Sequence, residues 1–225
     1  MIKKFFKHTR TSHYSNKKYN AEIQFWKDIL ISYVDWYNGK IKELYGEPSP
    51  TEEEKIKAHT IEYSAILTWQ AAHQRKKYLE DLHLPATVFQ NMKVLDVGSG
   101  PHPSALAFSN CEIFCLDPLL PVYMQTGFPI HIYESRTRFV YGYSEKMPFE
   151  NSFFDAIISV NAMDHVDDFY LTANEIKRVL KPGGMLRFHL HFHPKTVTEP
   201  LELNDAIVSE AFKCVTGLKK YLKVN

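Results

Sequence analysis

The chain has 225 residues, 44% of them hydrophobic, and a formal net charge of +1. That length holds one ordinary domain plus an extension, and so balanced a charge excludes a global attraction to nucleic acid or to an anionic membrane. No apolar run approaches the roughly 20 residues that span a bilayer, and Met1-Ile2-Lys3-Lys4-Phe5-Phe6-Lys7 has too short an apolar core for a secretory signal. Cys111, Cys115 and Cys214 read as reduced thiols packed as small hydrophobes, so a cytoplasmic protein is expected.

Residues 1–18 carry Lys3, Lys4, Lys7, Arg10, Lys17 and Lys18 and no acid. An arm for phosphate or RNA and a solvated terminus both fit, and the solvated terminus is the reading preferred. Over residues 20–83, Ile23, Trp26, Ile29 or Leu30, Tyr33, Tyr37 and Ile41 recur at helical spacing. Gly46-Glu47-Pro48-Ser49-Pro50 breaks the pattern. Thr51-Glu52-Glu53-Glu54 restarts it with an N-cap candidate and first-turn acids. An apolar face through Ile56, Ile61, Ile66 and Leu67 runs to about Leu82, and Leu84-Pro85 ends it. This region is rich in aromatic residues. It is either a helical subdomain packing its rings on the core or a lid that also lines a substrate pocket.

From Met92 strands alternate with helices. Strand one covers about Lys93 to Val97, followed by a short helix over Ser104 to Ser109. Strand two covers Glu112 to Leu116, and an irregular stretch follows. Strand three is either Ile130 to Tyr133 or, preferably, Phe139 to Tyr141. Strand four is Phe154 to Val160. A helix from about Phe169 to Leu180 stops at Lys181-Pro182-Gly183-Gly184, and strand five is Met185 to Phe192. A last helix lies near Asn204 to Phe212, with room for one more strand. The alternation argues a mostly parallel sheet with right-handed crossovers. Gly98 and Gly100, directly after strand one, let the backbone turn sharply and approach a ligand at the sheet's C-terminal edge.

Four segments, in this order, together resemble the motifs of class I S-adenosylmethionine-dependent methyltransferases. They are Val94-Leu95-Asp96-Val97-Gly98-Ser99-Gly100; Cys115-Leu116-Asp117; Gly142 to Phe149 with Phe154-Asp155-Ala156-Ile157-Ile158; and Glu175 to Leu186. The resemblance covers about Met92 to His193. It implies an α/β, Rossmann-like, doubly wound, mostly parallel sheet over residues 89–225, with residues 1–88 as an N-terminal helical extension or lid. It implies S-adenosyl-L-methionine as cofactor. Gly98, Ser99 and Gly100 would receive its methionine carboxylate, Asp96 its ammonium and Asp117 its ribose hydroxyls. Ser144 and Glu145 would cap its adenine, with Asn161 beside the cofactor. Two departures stand out. Pro101-His102-Pro103 replaces the family's third small residue, and Tyr143 stands where an acid is usual, which leaves the adenine contacts least defined.

Methyl transfer is a displacement from a sulfonium, so acceptor alignment matters most, and a hydroxyl acceptor also needs a base. His165, just past strand four, is a candidate for that base. On strand five, period two would put His189, His191 and His193 on one face. His191 and His193 are therefore further candidates at the acceptor site. Three such imidazoles could also bind zinc or iron with Asp164 or His165. The outer two would lie about 13 Å apart, however, so no residue is assigned as a metal ligand. The expected function is methyl transfer to an oxygen or nitrogen of a small molecule. An RNA or protein methyltransferase, or a non-catalytic cofactor-binding scaffold, is the alternative. A small-molecule acceptor is the expected partner, nucleic acid and membrane are not, and an open sheet edge after strand five would suit a homodimer.

Overall fold

The computed structural model describes residues 13–51, 61–69, 74–133, 137–213 and 215. Its first element is the long helix α1 (His13–Tyr37). A two-residue turn, with Tyr45 at φ 53° and Gly46 at φ 83°, joins the short strands β1 (Glu43–Leu44) and β2 (Glu47–Pro48). Left-handed backbone at both turn residues is the geometry that closes tight hairpins, so the Gly46–Pro50 break is a hairpin corner. Helices α2 (Ile61–Trp69) and α3 (Arg75–Leu82) follow. The restart at Glu52–Glu54, the basic arm before His13 and any strand after Val215 lie outside the described residues.

The sheet is built from β3 (Lys93–Val97), β4 (Glu112–Asp117), β5 (Thr137–Tyr141), β6 (Phe154–Val160) and β7 (Leu180–His189), in the order β5-β4-β3-β6-β7 and all parallel. The chain steps outward from β3 to β5 and then returns to the other side of β3. The gap between the C-terminal ends of β3 and β6 is therefore a topological switch point, where ligands bind in open α/β sheets.

The elements match or depart from the expected ones for physical reasons. Residues after Asp117 form α4 (Leu120–Thr126) rather than irregular chain. Pro121 lies in its first turn, where no amide donor is required, and Gly127 at φ 97° ends it. Ser104–Ala107 and Ile130–Tyr133 are 3-10 turns, so the third strand is the later alternative, begun at Thr137. The helix after β6, α5 (Phe169–Val179), is capped by Asp168, whose side chain accepts from the Leu171 amide. Its successor β7 starts at once at Leu180, and a register shift opposite Phe154 and Ala156 absorbs the Pro182-Gly183-Gly184 turn. The last helix, α6 (Asp205–Ala211), is capped by Asn204.

The strands bury both faces. Leu95, Val97, Phe114, Leu116 and Ile157 pack on α5 and α6 through Phe169, Ile176 and Phe212. Val94, Ile113, Cys115 and Ile158 pack on Tyr78 and Leu82 of α3 and on Phe89 and Phe108. A third cluster joins Tyr33, Trp36 and Tyr37 of α1 and Ile66 of α2 to Leu119, Tyr123, Phe128 and Ile130 around α4. The helical extension thus shares its apolar core with the sheet's own helices. Among the described residues no helix is long and apolar enough to cross a membrane.

Candidate active site

A cavity of about 450 Å³ lies at the switch point, between α1 and the C-terminal edge of the sheet. Its floor is the turn after β3. Gly98 and Gly100 adopt φ 70° and 64°, and the Gly98 amide donates to the Leu116 carbonyl at 2.8 Å. A Cβ at Gly98 would overlap the Cβ of Ala162, and one at Gly100 would lie 3.1 Å from the Trp26 ring. Glycine is required at both places for conformation and for space. Ser99 is buried in the same turn.

Asp117, at the end of β4, lines the cavity and is 5% exposed. Its Oδ2 accepts from the Gly100 amide at 2.9 Å and its Oδ1 from the Leu119 amide at 2.8 Å. Burial pushes its pKa up to about 6 against the pull of those two bonds. Asp96 sits below the cavity wall. Its Oδ1 accepts from the Tyr78 hydroxyl at 2.8 Å, its Oδ2 has no partner, and burial raises its pKa to about 7. Tyr78 rather than Asp96 meets the cavity.

One stripe of α1 forms the roof. Lys18, Glu22 and Trp26 recur every fourth residue and so share a helix face. Lys18, 3% exposed, donates to Asp167 at 2.9 Å, which corrects the reading of that lysine as part of a solvated terminus. Glu22 Oε1 lies 3.0 Å from Nδ1 of His165. Trp26 lies over Gly100 and makes edge contacts with His102, Tyr123 and Phe128. His102, the departure in the glycine turn, is 3% exposed with neither ring nitrogen partnered, and burial lowers its pKa to about 3. At the adenine end of the motif order, Tyr143 meets Tyr19 of α1 at 6.3 Å between ring centroids. Ser144 hydrogen-bonds Thr172 at 2.9 Å. Glu145 Oε1 accepts from the Asp167 amide at 2.7 Å, so this carboxylate anchors the loop before α5.

The opposite wall carries a cluster of imidazoles and carboxylates. His165 Nε2 is 3.7 Å from Glu199 Oε1, and His193 Nε2 is 3.6 Å from the same oxygen and 3.5 Å from Asp164 Oδ2. Burial alone would lower the pKa of His165, but the Glu22 hydrogen bond and the charges of Glu22, Asp164 and Glu199 raise it. The strand-five expectation needs correcting here. Pairing with β6 ends at Val160 opposite His189, so the chain leaves the sheet before His191 and the period-two face is not continued. His189 Nδ1 instead meets Asn161 Oδ1 at 2.7 Å, while His191 is exposed and packs edge-on against His189.

Of the expected residues, Gly98, Ser99, Gly100, Asp117, Ser144, Glu145, Asn161 and His165 line this one cavity. Asp96 and His193 stand behind lining residues, and His191 is apart. Trp26 lines the cavity as the lid reading of the aromatic extension expected, and Glu22, Tyr78, His102 and Glu199 line it without having been singled out for it. For Glu22, the four-residue spacing with Lys18 and Trp26 was the available signal.

Residues 95–188 match the family described as a methyltransferase domain. That match falls on the part of the chain whose motifs resemble class I S-adenosylmethionine-dependent methyltransferases. The chain is similar to a sterol 24-C-methyltransferase of Gibberella zeae, 32% identical over 42% of this chain and 26% of that one. It is 28% identical to a demethylmenaquinone methyltransferase of Staphylococcus haemolyticus over 50% of this chain and 47% of the relative. The chain thus spans between about a quarter and a half of the length of these curated relatives. Its fold is that of a protein assigned as a methyltransferase in Bacillus halodurans, with a TM-score of 0.52 at 19% identity, covering 61% of this chain and 67% of the other. S-adenosylmethionine is the cofactor of such domains, and the residues present fit it. The turn at Gly98 and Gly100 leaves space no Cβ could occupy, and the cavity-facing Asp117 has acceptor capacity beyond its two backbone bonds.

Proposed function

We propose that the methyltransferase transfers a methyl group from S-adenosylmethionine to an oxygen or nitrogen of a small molecule held under α1. The observation that carries this reading is the roof. Lys18, Glu22 and Trp26 close the cavity over the glycine turn, and about 450 Å³ is a small-molecule volume. The cofactor supplies an electrophilic methyl on a sulfonium. The turn at Gly98, Ser99 and Gly100 binds its methionine end, Asp117 accepts from the ribose hydroxyls, and Tyr143 and Ser144 border the adenine. Asp96 acts through the Tyr78 hydroxyl as a positioning residue, and Asn161 borders the cofactor. His165 and Glu199 face the acceptor, with His193 behind them. Their part is to align the reacting atom and keep water out. A cytoplasmic setting belongs to the same proposal and rests on the buried thiol of Cys115.

The test is a methyl-label transfer assay. Purified protein and labelled S-adenosylmethionine are incubated with fractionated cell extract, and the label is followed into small-molecule, RNA and protein fractions. Label in small molecules alone is expected. Label in RNA or protein would replace this reading with the polymer alternative. Binding of S-adenosylhomocysteine with no label in any fraction would favour a non-catalytic scaffold.

A further inference from the structure

We propose that Asp164, His165, His193 and Glu199 form a binding site for one divalent transition cation of the zinc or iron type. Four observations converge on it. The contacts His193–Asp164, His193–Glu199 and His165–Glu199 measure 3.5, 3.6 and 3.7 Å, too long for good hydrogen bonds. Donors about 2.1 Å from a tetrahedral cation lie about 3.4 Å from one another, so the same spacing suits a shared ion. Ligand atoms of Asp164, His165 and Glu199 all fall within 4.8 Å of one another, and His193 approaches two of these three residues.

The remaining atoms of these side chains are held as metal ligands usually are. Nδ1 of His165 is tied to Glu22 at 3.0 Å, and Nδ1 of His193 donates to the Pro194 carbonyl at 2.7 Å, which turns each Nε2 toward the centre. Thr196 donates to Glu199 Oε2 at 2.7 Å and leaves Oε1 facing inward. Asp164 is 2% exposed, and its Oδ1 and His193 Nε2 are both buried without a hydrogen-bond partner. Such atoms in a native fold point to a missing partner. Charge agrees: two carboxylates and two neutral imidazoles balance a dication, and the ion pairs of Glu22, Asp164 and Glu199 all run to imidazoles.

Mixed imidazole and carboxylate donors suit zinc or iron better than magnesium. His165 and Glu199 line the cavity, so a coordination position on that side can take an oxygen or nitrogen of the acceptor. This last step rests on the proposed function; the metal site itself does not.

The experiment uses the full chain purified without a histidine tag. Zn²⁺ and Co²⁺ are titrated separately by calorimetry, and the Co²⁺ complex is followed by its visible absorption. Binding of one ion per chain is expected. His193→Ala and Glu199→Gln should each weaken it at least tenfold. Glu22→Gln should weaken it about tenfold through its hold on His165, and His191→Ala should leave it unchanged. Asp164→Asn, being buried, risks misfolding; the half-exposed His193 and Glu199 avoid that problem. No stoichiometric binding of either ion would overturn the site. So would binding insensitive to both His193→Ala and Glu199→Gln, or a loss in His191→Ala equal to that in His193→Ala. If the ion binds as expected but methyl transfer is absent from every fraction, the proposed function fails and the metal site stands. If transfer proceeds unchanged in chelator, the acceptor role fails while both other readings stand.

Discussion

Replacing Gly98 with alanine separates two costs that the structure assigns to different glycines. Gly98 (φ 70°) and Gly127 (φ 97°) both occupy left-handed backbone, where an L-residue loses about 1–2 kcal/mol. At Gly127 nothing lies within 4 Å of the added Cβ, so Gly127→Ala carries the backbone strain alone. At 2–4 °C per kcal/mol for a chain of this size, its Tm should fall by about 2–8 °C. At Gly98 the new methyl overlaps the Cβ of Ala162, which cannot rotate away because it is fixed to the backbone after β6. Overpacking adds about 1–3 kcal/mol, giving about 2–5 in all and a Tm lower by about 4–20 °C. The displaced turn is also the proposed cradle of the cofactor. Gly98→Ala should therefore raise the Kd of S-adenosylhomocysteine at least tenfold, about 1.4 kcal/mol, while Gly127→Ala leaves it nearly unchanged. Differential scanning fluorimetry and titration calorimetry on the two variants suffice. If Gly98→Ala matches Gly127→Ala in both Tm and Kd, neither the overlap nor the cradle argument survives.

Two pH-dependent outcomes follow from buried groups. Burial raises the pKa of Asp117 to about 6, and in the proposed site the ribose hydroxyls would donate to it and favour the ionised form. S-adenosylhomocysteine affinity should be flat above that value and fall below it, by up to about tenfold per unit. Asp117→Asn should weaken binding at about pH 8 and remove the slope; an affinity constant from about pH 5 to 8 would dismiss the ribose role. His102 behaves oppositely. Burial lowers its pKa from 6.5 to about 3, so the folded chain keeps it neutral while the unfolded chain protonates. Its stability contribution is whole above 6.5 and drains as pH falls toward 3, at up to about 1.4 kcal/mol per unit. His102→Leu should hold its stability better than the parent at about pH 4 when compared by urea unfolding. Equal acid sensitivity in the two chains would mean that His102 does not set it, and comparing variant with parent cancels the opposite trend of Asp96 and Asp117.

The strands and their order of use were legible because buried parallel strands write themselves as short apolar runs, as in Val94–Val97 and Ile157–Val160. Element ends were less so. The stretch after strand two read as irregular, yet Pro121 and Gly127 in it are the start and stop of α4. The Pro182-Gly183-Gly184 turn read as the end of a helix and is equally a bulge inside β7. The histidine run shows the limit most clearly. Alternation along His189 to His193 requires a neighbouring strand to keep the chain extended, and β6 ends opposite His189.

The sequence alone determined the turn and the strand end of the proposed cofactor site. At Gly98, Gly100 and Asp117 the geometry is set by residues beside them in the chain. The opposite wall of the cavity was decided only by the tertiary structure. Glu22 and Glu199 stand 177 positions apart in the sequence, and no local rule joins them. They meet at His165 because α1 buries Tyr33, Trp36 and Tyr37 against α4, which lays its Lys18–Glu22–Trp26 stripe across the sheet's edge. Apolar burial is non-directional and contributes most of the energy. It settled where the helix lies, and the polar cluster took its geometry from that placement.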